Sequence, residues 1–328
     1  MFCVGILLAI VVYLTKEDSL QTFSGTTMGT YYNISVAGNS NITDFLIRSN
    51  LDLVNQEMST YIPTSFISKF NKTPLNEWIE ASPSFLKVLS NAIKVCELSD
   101  GYFDVTVGGL VNIWGFGPVN IDNPPPASLV AKSLKTIGCS SISVDNSIKK
   151  IRRNEDVQLD LSAIAKGFAI DQLYDVFLLD KMVTGFLIEI GGEVKSYGYK
   201  DTNTPWTVGI IHPTMPGQSI FKIQTDIKKT FSMATSGDYR NFKLFDDKML
   251  SHTINTSDGK PIKVIGSSVS VISDSAMQAD ALATALNAMG PEKGLKFSNL
   301  HNIDSIFILK ENGEYVVRHS ESLRKTLQ

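Results

Sequence analysis

The sequence predicts an α+β protein. Short segments with β periodicity alternate irregularly with a few amphipathic helical segments, a pattern typical of mixed sheets with packed helices. The chain has 328 residues, enough for a large core and about the length of two average domains. No low-complexity tract or clear repeat interrupts it. We therefore expect a globular protein with two lobes.

The charge of the chain argues against nucleic acid as a partner. The formal net charge is −3, which provides no electrostatic footprint for nucleic acid. A phosphate-bearing ligand must then be held by local backbone groups and a few cations.

The N-terminus carries an unbroken apolar run over residues 2–14. As a helix it would cover about 20 Å, short of the roughly 30 Å hydrocarbon core of a bilayer. A signal-peptide core or a short signal anchor fits better, although no Lys or Arg precedes the run and no small-x-small site follows it. Cys3 is at the start of the apolar run, whereas a lipidated cysteine would follow the run. The alternative is a buried N-terminal helix.

We expect an exported protein, membrane-anchored on the periplasmic side of the inner membrane. In this interpretation residues 1–22 are a signal or anchor segment with a linker, and residues 23–328 form the functional domain. Cys3, Cys96 and Cys139 show no metal-ligand spacing. At most Cys96 and Cys139 could pair, and we expect both to be small buried hydrophobic residues.

Two helices have clear signals. Apolar residues recur at helical spacing over residues 82–99, and Gly101 stands where a C′ glycine would end the helix. A second capped helix spans residues 273–290 and ends in glycine and proline. The other periodicities predict a helix over Asp44–Met58, strands over residues 30–37, 206–213, 264–272 and 314–317, a hairpin over 145–156, and a strand entering a Gly-Gly turn within 185–198.

The glycine-rich stretch over residues 101–118 allows two interpretations. Phe103, Val105 and Val107 alternate like a short strand. Aromatic residues beside five glycines suit a pocket for a flat ring, and a core-facing loop is equally compatible.

The stretch LDLSAIAKGFAID, residues 159–171, concentrates the chemistry. Its apolar period changes from two to that of a helix, which predicts a strand-to-helix corner. Ser162 as the N-cap would leave backbone N–H groups for an anion, and Lys166 one turn later would add a charge. The alternative is an ordinary capped helix with a solvated lysine.

Three further features carry oxygen or nitrogen ligands. Glu189 and Glu193 flank the Gly-Gly turn, where a backbone can approach a ligand closely. Asp280 and Thr284 are four residues apart, so their oxygens share one helix face and could bind one magnesium ion. A simple hydrogen bond between them is the alternative. His252 is one of four histidines and could be structural or catalytic.

Taken together, these segments resemble the FAD:protein FMN transferases, the ApbE flavin transferases. The matching motifs occur in the family's order and cover most of the chain from residue 28 to residue 290. They are MGT (28–30), MSTY (58–61), SDGYFDVTVGGLVNIWGFGP (99–118), LDLSAIAKGFAID (159–171), EIGGEV (189–194), ATSGDYRNF (234–242), SHTI (251–254) and ADALATAL (279–286).

The resemblance implies an enzyme that cleaves the pyrophosphate of FAD and attaches FMN to a threonine of another protein, releasing AMP. It also implies a two-lobed fold with flavin between the lobes. Gly109 and Asn255 depart from the family, which often has proline and aspartate at these positions. The flavin contacts that the resemblance implies are Met28, Tyr61, Tyr102, Phe103, Asp104, Asp160, Lys166 and Ile254, and the magnesium ligands are the Ala163 carbonyl, Asp280 and Thr284.

The implied chemistry explains these residue types. Charged phosphate oxygens repel a nucleophile, so the site needs Mg²⁺, with Lys166 and a helix N-terminus as helpers. His252 is the candidate base for the threonine hydroxyl. The implied targets are threonine-bearing proteins such as subunits of membrane redox complexes. Two alternatives stay open: a magnesium-dependent FAD pyrophosphatase that releases FMN and AMP, and a non-catalytic protein that binds or delivers flavin.

Overall fold

The computed structural model describes residues 20–119, 121, 123–215, 217–238, 242–245 and 248–326. For residues 325 and 326 it describes the backbone alone. The apolar run over residues 2–14 lies outside the described residues, so the division at residues 22 and 23 stays a prediction. Among the helices described, none is long and apolar enough to cross a membrane.

An eight-stranded antiparallel sheet organises the described part of the chain. Its strand order is β1-β2-β6-β7-β10-β14-β15-β16. The strands are β1 (Gln21–Thr27), β2 (Thr30–Gly38), β6 (Val183–Ile190), β7 (Glu193–Gly198), β10 (Phe231–Gly237), β14 (Ser268–Ser273), β15 (Asp304–Glu311) and β16 (Glu314–His319).

Three small sheets flank it. They contain β3 (Ile79–Glu80), β4 (Ile142–Asp145) and β5 (Lys150–Arg153); β8 (Thr207–Ile211) and β9 (Ser219–Gln224); and β11 (Phe242–Phe245), β12 (Lys248–Asn255) and β13 (Lys260–Lys263).

Helices connect and cover the sheets. They are α1 (Asp44–Met58), α2 (Phe66–Phe70), α3 (Pro83–Leu98), α4 (Gly108–Ile113), α5 (Ala127–Leu134), α6 (Ala165–Phe177), α7 (Ala276–Met289), α8 (Pro291–Leu300) and α9 (Glu321–Thr326), with a 3₁₀ turn η1 (Cys139–Ser141). The α+β prediction is confirmed.

Three apolar clusters hold these elements together. The largest lies between one face of the sheet and α1, α3, α6 and α7, and includes Phe85, Phe177 and Phe186, all fully buried. A second cluster covers the other face, where Ile306 and Met233 contact residues of the β8–β9 hairpin. The third joins α4 and α5 to β11 and β12. Burial on both faces explains why β15 carries the continuous apolar run IFIL, residues 306–309, without alternation.

Most predicted elements are confirmed. The helix Asp44–Met58 has the predicted bounds, and α3 and α7 lie within the predicted 82–99 and 273–290, with Ser82 and Ser275 as N-caps. The hairpin within 145–156 is that of β4 and β5. The Gly-Gly turn joins β6 to β7, and Gly191 and Gly192 both have positive φ there.

The strand predicted at residues 103–107 is wrong. Val107 forms a single parallel bridge with Gln158, and the chain turns at Val105 before α4 begins. The apolar alternation arises because these side chains face two different clusters. Gly101 also lies one position later than predicted, since Asp100 takes the first left-handed position after α3.

Cys96 and Cys139 form a disulfide that joins α3 to η1, with a Cα–Cα distance of 5.8 Å. The expectation of two unpaired buried cysteines is therefore wrong. The two residues are 43 positions apart, and only the packing of α3 against η1 brings them together. Closing a loop of this length stabilises the fold by about 4 kcal/mol in the chain-entropy model.

Candidate functional site

The backbone of the chain before α6 is hydrogen-bonded to two distant segments, to the backbone of one and to a side chain of the other. The Asp160 N–H donates to the Val105 carbonyl (2.8 Å). The Asn71 side chain, at the end of α2, accepts from the Leu159 N–H (2.7 Å) and donates to the Leu159 carbonyl (2.9 Å). The predicted corner is thus fixed in space before the helix begins.

The start of α6 differs from the prediction in one respect. Ser162 is not the N-cap, because the helix begins at Ala165 and Ile164 occupies the capping position without a side-chain hydrogen bond. The cap-like bond comes earlier, where Asp160 Oδ1 accepts from the Ser162 N–H (2.8 Å). The Ser162 carbonyl in turn accepts from Lys166 Nζ (3.1 Å).

The N-terminal turns of α6 and α7 are in direct contact. A Cβ at Gly167 would lie 2.2 Å from the Ala276 carbonyl oxygen, so only glycine allows this approach. In a continuous helix the Gly167 N–H would donate to the Ala163 carbonyl four residues earlier. It donates instead to Asp280 Oδ2 (3.0 Å) on α7.

Three charged side chains meet beside this contact, and we call them the inner cluster: Lys166 on α6, Glu193 on β7 and Asp280 on α7. Lys166 Nζ lies 3.8 Å from Glu193 Oε1 and 3.9 Å from Asp280 Oδ1. Both carboxylates are buried, whereas the lysine side chain is 23% exposed. Burial raises the pKa of Asp280, and Lys166 and the Gly167 N–H act in the opposite direction.

The inner cluster fits a hard cation. Asp280 and half-buried Thr284 are one turn apart on α7, and the Ala163 carbonyl stands just before α6, at the helix contact. In the described part of the chain no three His, Cys, Asp or Glu side chains converge as a metal site. A cation here would therefore bind one carboxylate with hydroxyl and carbonyl oxygens, a donor set that Mg²⁺ accepts together with water and phosphate.

Tyr61 and Asp160 lie on the exposed side of the corner. The Tyr61 hydroxyl donates to the Phe116 carbonyl (2.8 Å), although the side chain is 62% exposed. Desolvation of its hydroxyl end and the nearby Asp160 carboxylate raise the pKa of Tyr61, although most of the ring is exposed. The structure therefore brings Tyr61, Asp160 and the end of the glycine-rich stretch, just after α4, together.

Tyr102 and Met28 also present accessible surface. Lys293 of α8 donates from Nζ to the Tyr102 hydroxyl (2.9 Å), and the same ammonium lies 4.1 Å from the ring centroid. Met28 lies in the turn between β1 and β2 with a positive φ of 50°. The place of Met28 in a flavin site stays a prediction.

Three other predicted flavin contacts are buried. Phe103 lies in the largest apolar cluster and Ile254 in the cluster of α4 and β12. Asp104 is also buried, its Oδ1 accepts from the Thr106 N–H (2.8 Å) and hydroxyl (2.7 Å), and burial raises its pKa. In this conformation Phe103 and Ile254 could offer a ligand their backbone rather than their side chains.

The candidate base His252 is a half-buried residue of β12. The next residue, Thr253, accepts a hydrogen bond from Asn287 of α7 (3.4 Å). This contact ties β12 to the helix that carries Asp280. Asn255 binds locally, because its Oδ1 accepts from the Ser257 N–H and hydroxyl.

Sequence reasoning missed two roles. Glu193 was noted as a neighbour of the Gly-Gly turn, but its pairing with Lys166 depends on β7 lying beside α6. Asp171, the last residue of the central motif, is buried and bonded to α7 and β7. An aspartate in an otherwise apolar helix face was the signal that could have revealed it.

Comparison with known proteins decides the family. The ApbE family model matches residues 28–307, which include the corner, the inner cluster and β12. The chain belongs to the ApbE family. The family match and the related structures below also confirm the predicted resemblance.

Relatives of this ApbE protein include FAD:protein FMN transferases of two bacteria. The protein from Haemophilus influenzae is 33% identical over 321 residues, covering 94% of this chain and 92% of the relative. The protein from Escherichia coli K12 is 31% identical over 311 residues, covering 92% and 87%.

Solved ApbE structures share its fold. The apo flavinyl transferase of Pseudomonas stutzeri has a TM-score of 0.84 and 29% identity, covering 94% of this chain and 97% of that chain. The flavin transferase of Vibrio cholerae has a TM-score of 0.82 and 32% identity, covering 94% and 99%.

Proposed function

We propose that this ApbE protein transfers FMN from FAD to a threonine hydroxyl of a target protein, using a magnesium ion held by Asp280, Thr284 and the Ala163 carbonyl. The reaction class is that of its relatives, and the chain is an FAD:protein FMN transferase. The inner cluster carries the finer proposal, because it places a buried carboxylate, a partly exposed ammonium and a helix N-terminus in one place.

The reaction exchanges the phosphoanhydride bond of FAD for a phosphoester bond to threonine. The threonine oxygen attacks the phosphorus of the FMN half of FAD, and the bond from that phosphorus to the bridging oxygen breaks. The bridging oxygen leaves with AMP. The hydroxyl proton passes to a base, for which His252 of β12 is the candidate.

The residues of the chain divide this work. Lys166 and the first turn of α6 favour negative charge on the pyrophosphate. Magnesium, when bound, supplies further charge neutralisation at the phosphate oxygens. Asp280 holds the cation through a carboxylate that is already oriented by the Gly167 N–H. Tyr61, Tyr102 and Asp160 offer partly exposed polar groups for the flavin and ribityl portions.

Two observations support the proposed location outside the cytoplasm. Residues 2–14 have the length of a signal core or anchor. The Cys96–Cys139 disulfide is of a kind that persists in oxidising compartments. We extend the proposal to membrane anchoring on the periplasmic side and to targets such as threonine-bearing subunits of membrane redox complexes.

Intact-protein mass spectrometry tests the reaction. A candidate acceptor is incubated with the full chain, FAD and Mg²⁺, in parallel with a chelator control and an acceptor whose threonine is replaced by alanine. We expect a magnesium-dependent gain of one FMN on the threonine-bearing acceptor alone. Free FMN and AMP without acceptor labelling, across several acceptors, would instead support the pyrophosphatase. Bound FAD without turnover would support a flavin-binding protein.

A further inference from the structure

A second group of charges lies about one helical turn further along α6 than the inner cluster. We call Asp171 of α6 and Lys195 of β7 the outer pair. Lys195 Nζ lies 2.6 Å from Asp171 Oδ1, and both side chains are largely buried. Lys195 also donates to the Asp274 carbonyl (2.8 Å), immediately before α7.

The Asp171 carboxylate caps α7 from the neighbouring helix. Oδ1 accepts from the Ala276 N–H (3.0 Å), and Oδ2 accepts from the Met277 N–H (3.0 Å) and the Ser275 hydroxyl (2.7 Å). With Lys195 this makes four donors on one carboxylate. A carboxylate with this many partners has no remaining capacity for a ligand, so its role is structural.

The contacts between the two helices are reciprocal. Gly167 of α6 donates its N–H to Asp280 of α7, and Ala276 of α7 donates its N–H to Asp171 of α6. Each carboxylate lies four residues after the donor on its own helix. The separation of the two helices at the inner cluster is therefore fixed by both exchanges.

We infer that Asp171, held by Lys195, is a positioning residue for the cation site of the transferase. It sets α7 against α6 so that Asp280 and Thr284 face the Ala163 carbonyl. Metal ligands must lie within a few tenths of an ångström of ideal distances, and loss of groups that orient ligands typically lowers metal affinity about 10–100-fold. This inference rests on the proposed cation site at Asp280.

Metal binding without flavin separates positioning from stability. We would measure Mn²⁺ affinity by electron paramagnetic resonance for wild type, Asp171→Ala, Asp171→Asn and Lys195→Met, each well below its melting temperature. We expect the Mn²⁺ Kd to rise at least 10-fold in Asp171→Ala and less in Asp171→Asn, which keeps one oxygen acceptor. The FAD Kd should change less than threefold, and excess Mg²⁺ should restore part of the turnover.

Asp238→Ala is the matched control. Asp238 is also buried and also accepts four hydrogen bonds, from the N–H groups of Ile265, Gly266 and Ser267 and from the Ser267 hydroxyl, but it holds a loop rather than α7. We expect it to lower the melting temperature and leave the Mn²⁺ Kd unchanged. An Mn²⁺ Kd within twofold of wild type in folded Asp171→Asn and Lys195→Met would overturn the inference.

The proposed cation site at Asp280, on which the inference rests, is tested separately. Asp280→Asn should abolish Mn²⁺ binding in the same assay. If wild type and Asp280→Asn behave alike, the proposed cation site is wrong and the inference falls with it. If Asp280→Asn loses binding and the Asp171 and Lys195 variants keep it, the inference alone fails.

Discussion

The inner cluster and the outer pair both join a lysine to a carboxylate between α6 and β7, and both contact α7, yet their geometries differ. In the outer pair the ammonium is 2.6 Å from the carboxylate, and the lysine side chain is 6% exposed. In the inner cluster Lys166 is 3.8 and 3.9 Å from two carboxylates and is 23% exposed.

The difference shows how one helix contact serves structure and chemistry at once. A carboxylate with all its partners in place rigidifies its surroundings, whereas a buried charge at longer distances gains more from a new partner. With both carboxylates ionised, the inner cluster carries one formal negative charge. A cation entering there improves the electrostatics, but one entering at Asp171 would have to displace existing bonds.

The largest expected effect comes from removing the inner carboxylate. Asp280→Asn keeps an oxygen for the Gly167 N–H but loses the charge that would hold the cation. We expect turnover to fall at least about 100-fold, since even groups that merely orient metal ligands cost up to that factor. Steady-state rates over a Mg²⁺ titration measure this, with FAD binding as the control for folding. Retained turnover would place the cation elsewhere.

Removing the disulfide should change stability without changing either group of charges, because it joins α3 to η1. We expect Cys96→Ala combined with Cys139→Ala to lose up to about 4 kcal/mol of unfolding free energy. Urea unfolding of the variant and of wild type, with and without reductant, measures the loss. Reductant should affect wild type alone, and a parallel loss of Mn²⁺ affinity would show that stability and site are not separable.

The helix contact itself can be opened by one methyl group. Gly167→Ala places Cβ against the Ala276 carbonyl, and overpacking of this kind costs about 1–3 kcal/mol. Because the helices must separate, we also expect a weaker Mn²⁺ affinity. Gly109→Ala is the matched control, since nothing lies within 4 Å of a Cβ at that helical position. It should be neutral or stabilise by up to about 1 kcal/mol.

The smallest and most specific effect concerns the inner ammonium. Lys166→Met removes a positive charge 3.9 Å from Asp280, so we expect Mn²⁺ in the absence of FAD to bind a few-fold more tightly. Turnover should nevertheless fall, because the ammonium no longer assists the pyrophosphate. These opposite signs, measured by paramagnetic resonance and by AMP release, distinguish a ligand-facing lysine from a structural one. Weaker Mn²⁺ binding would assign Lys166 to structure, as in the outer pair.

Local signals predicted much of the fold. The helical spacing over residues 82–99, the apolar period of Asp44–Met58 and the Gly-Gly turn each depend on residues a few positions apart, so the sequence alone reveals them. The short strand at residues 103–107 failed for the complementary reason. Its alternation reflects two separate clusters rather than one sheet face.

The candidate site was predictable in part. Lys166, Asp280 and Thr284 were found through local spacing and family resemblance, and the structure brings the two charged groups within 4 Å. Ser162 was predicted to be the N-cap of α6. The helix begins only at Ala165, and the Ser162 N–H instead donates to the Asp160 carboxylate in the preceding turn. The partners of Lys166 and Asp171 on β7 were not predicted, because no local rule brings residues 193 and 195 beside α6.

The fold class, the principal helices and the residues that could bind phosphate and a cation can all be inferred without the three-dimensional structure. These follow from periodicity, capping and side-chain chemistry, which depend on near neighbours. Three features emerge only from the folded arrangement: the Cys96–Cys139 disulfide, the contact of α6 with α7 at Gly167, and the four hydrogen bonds that saturate the Asp171 carboxylate. Hydrogen-bond capacity and burial depend on groups far apart in the chain, so only their arrangement in space separates the carboxylate that holds the protein from the one left for a ligand.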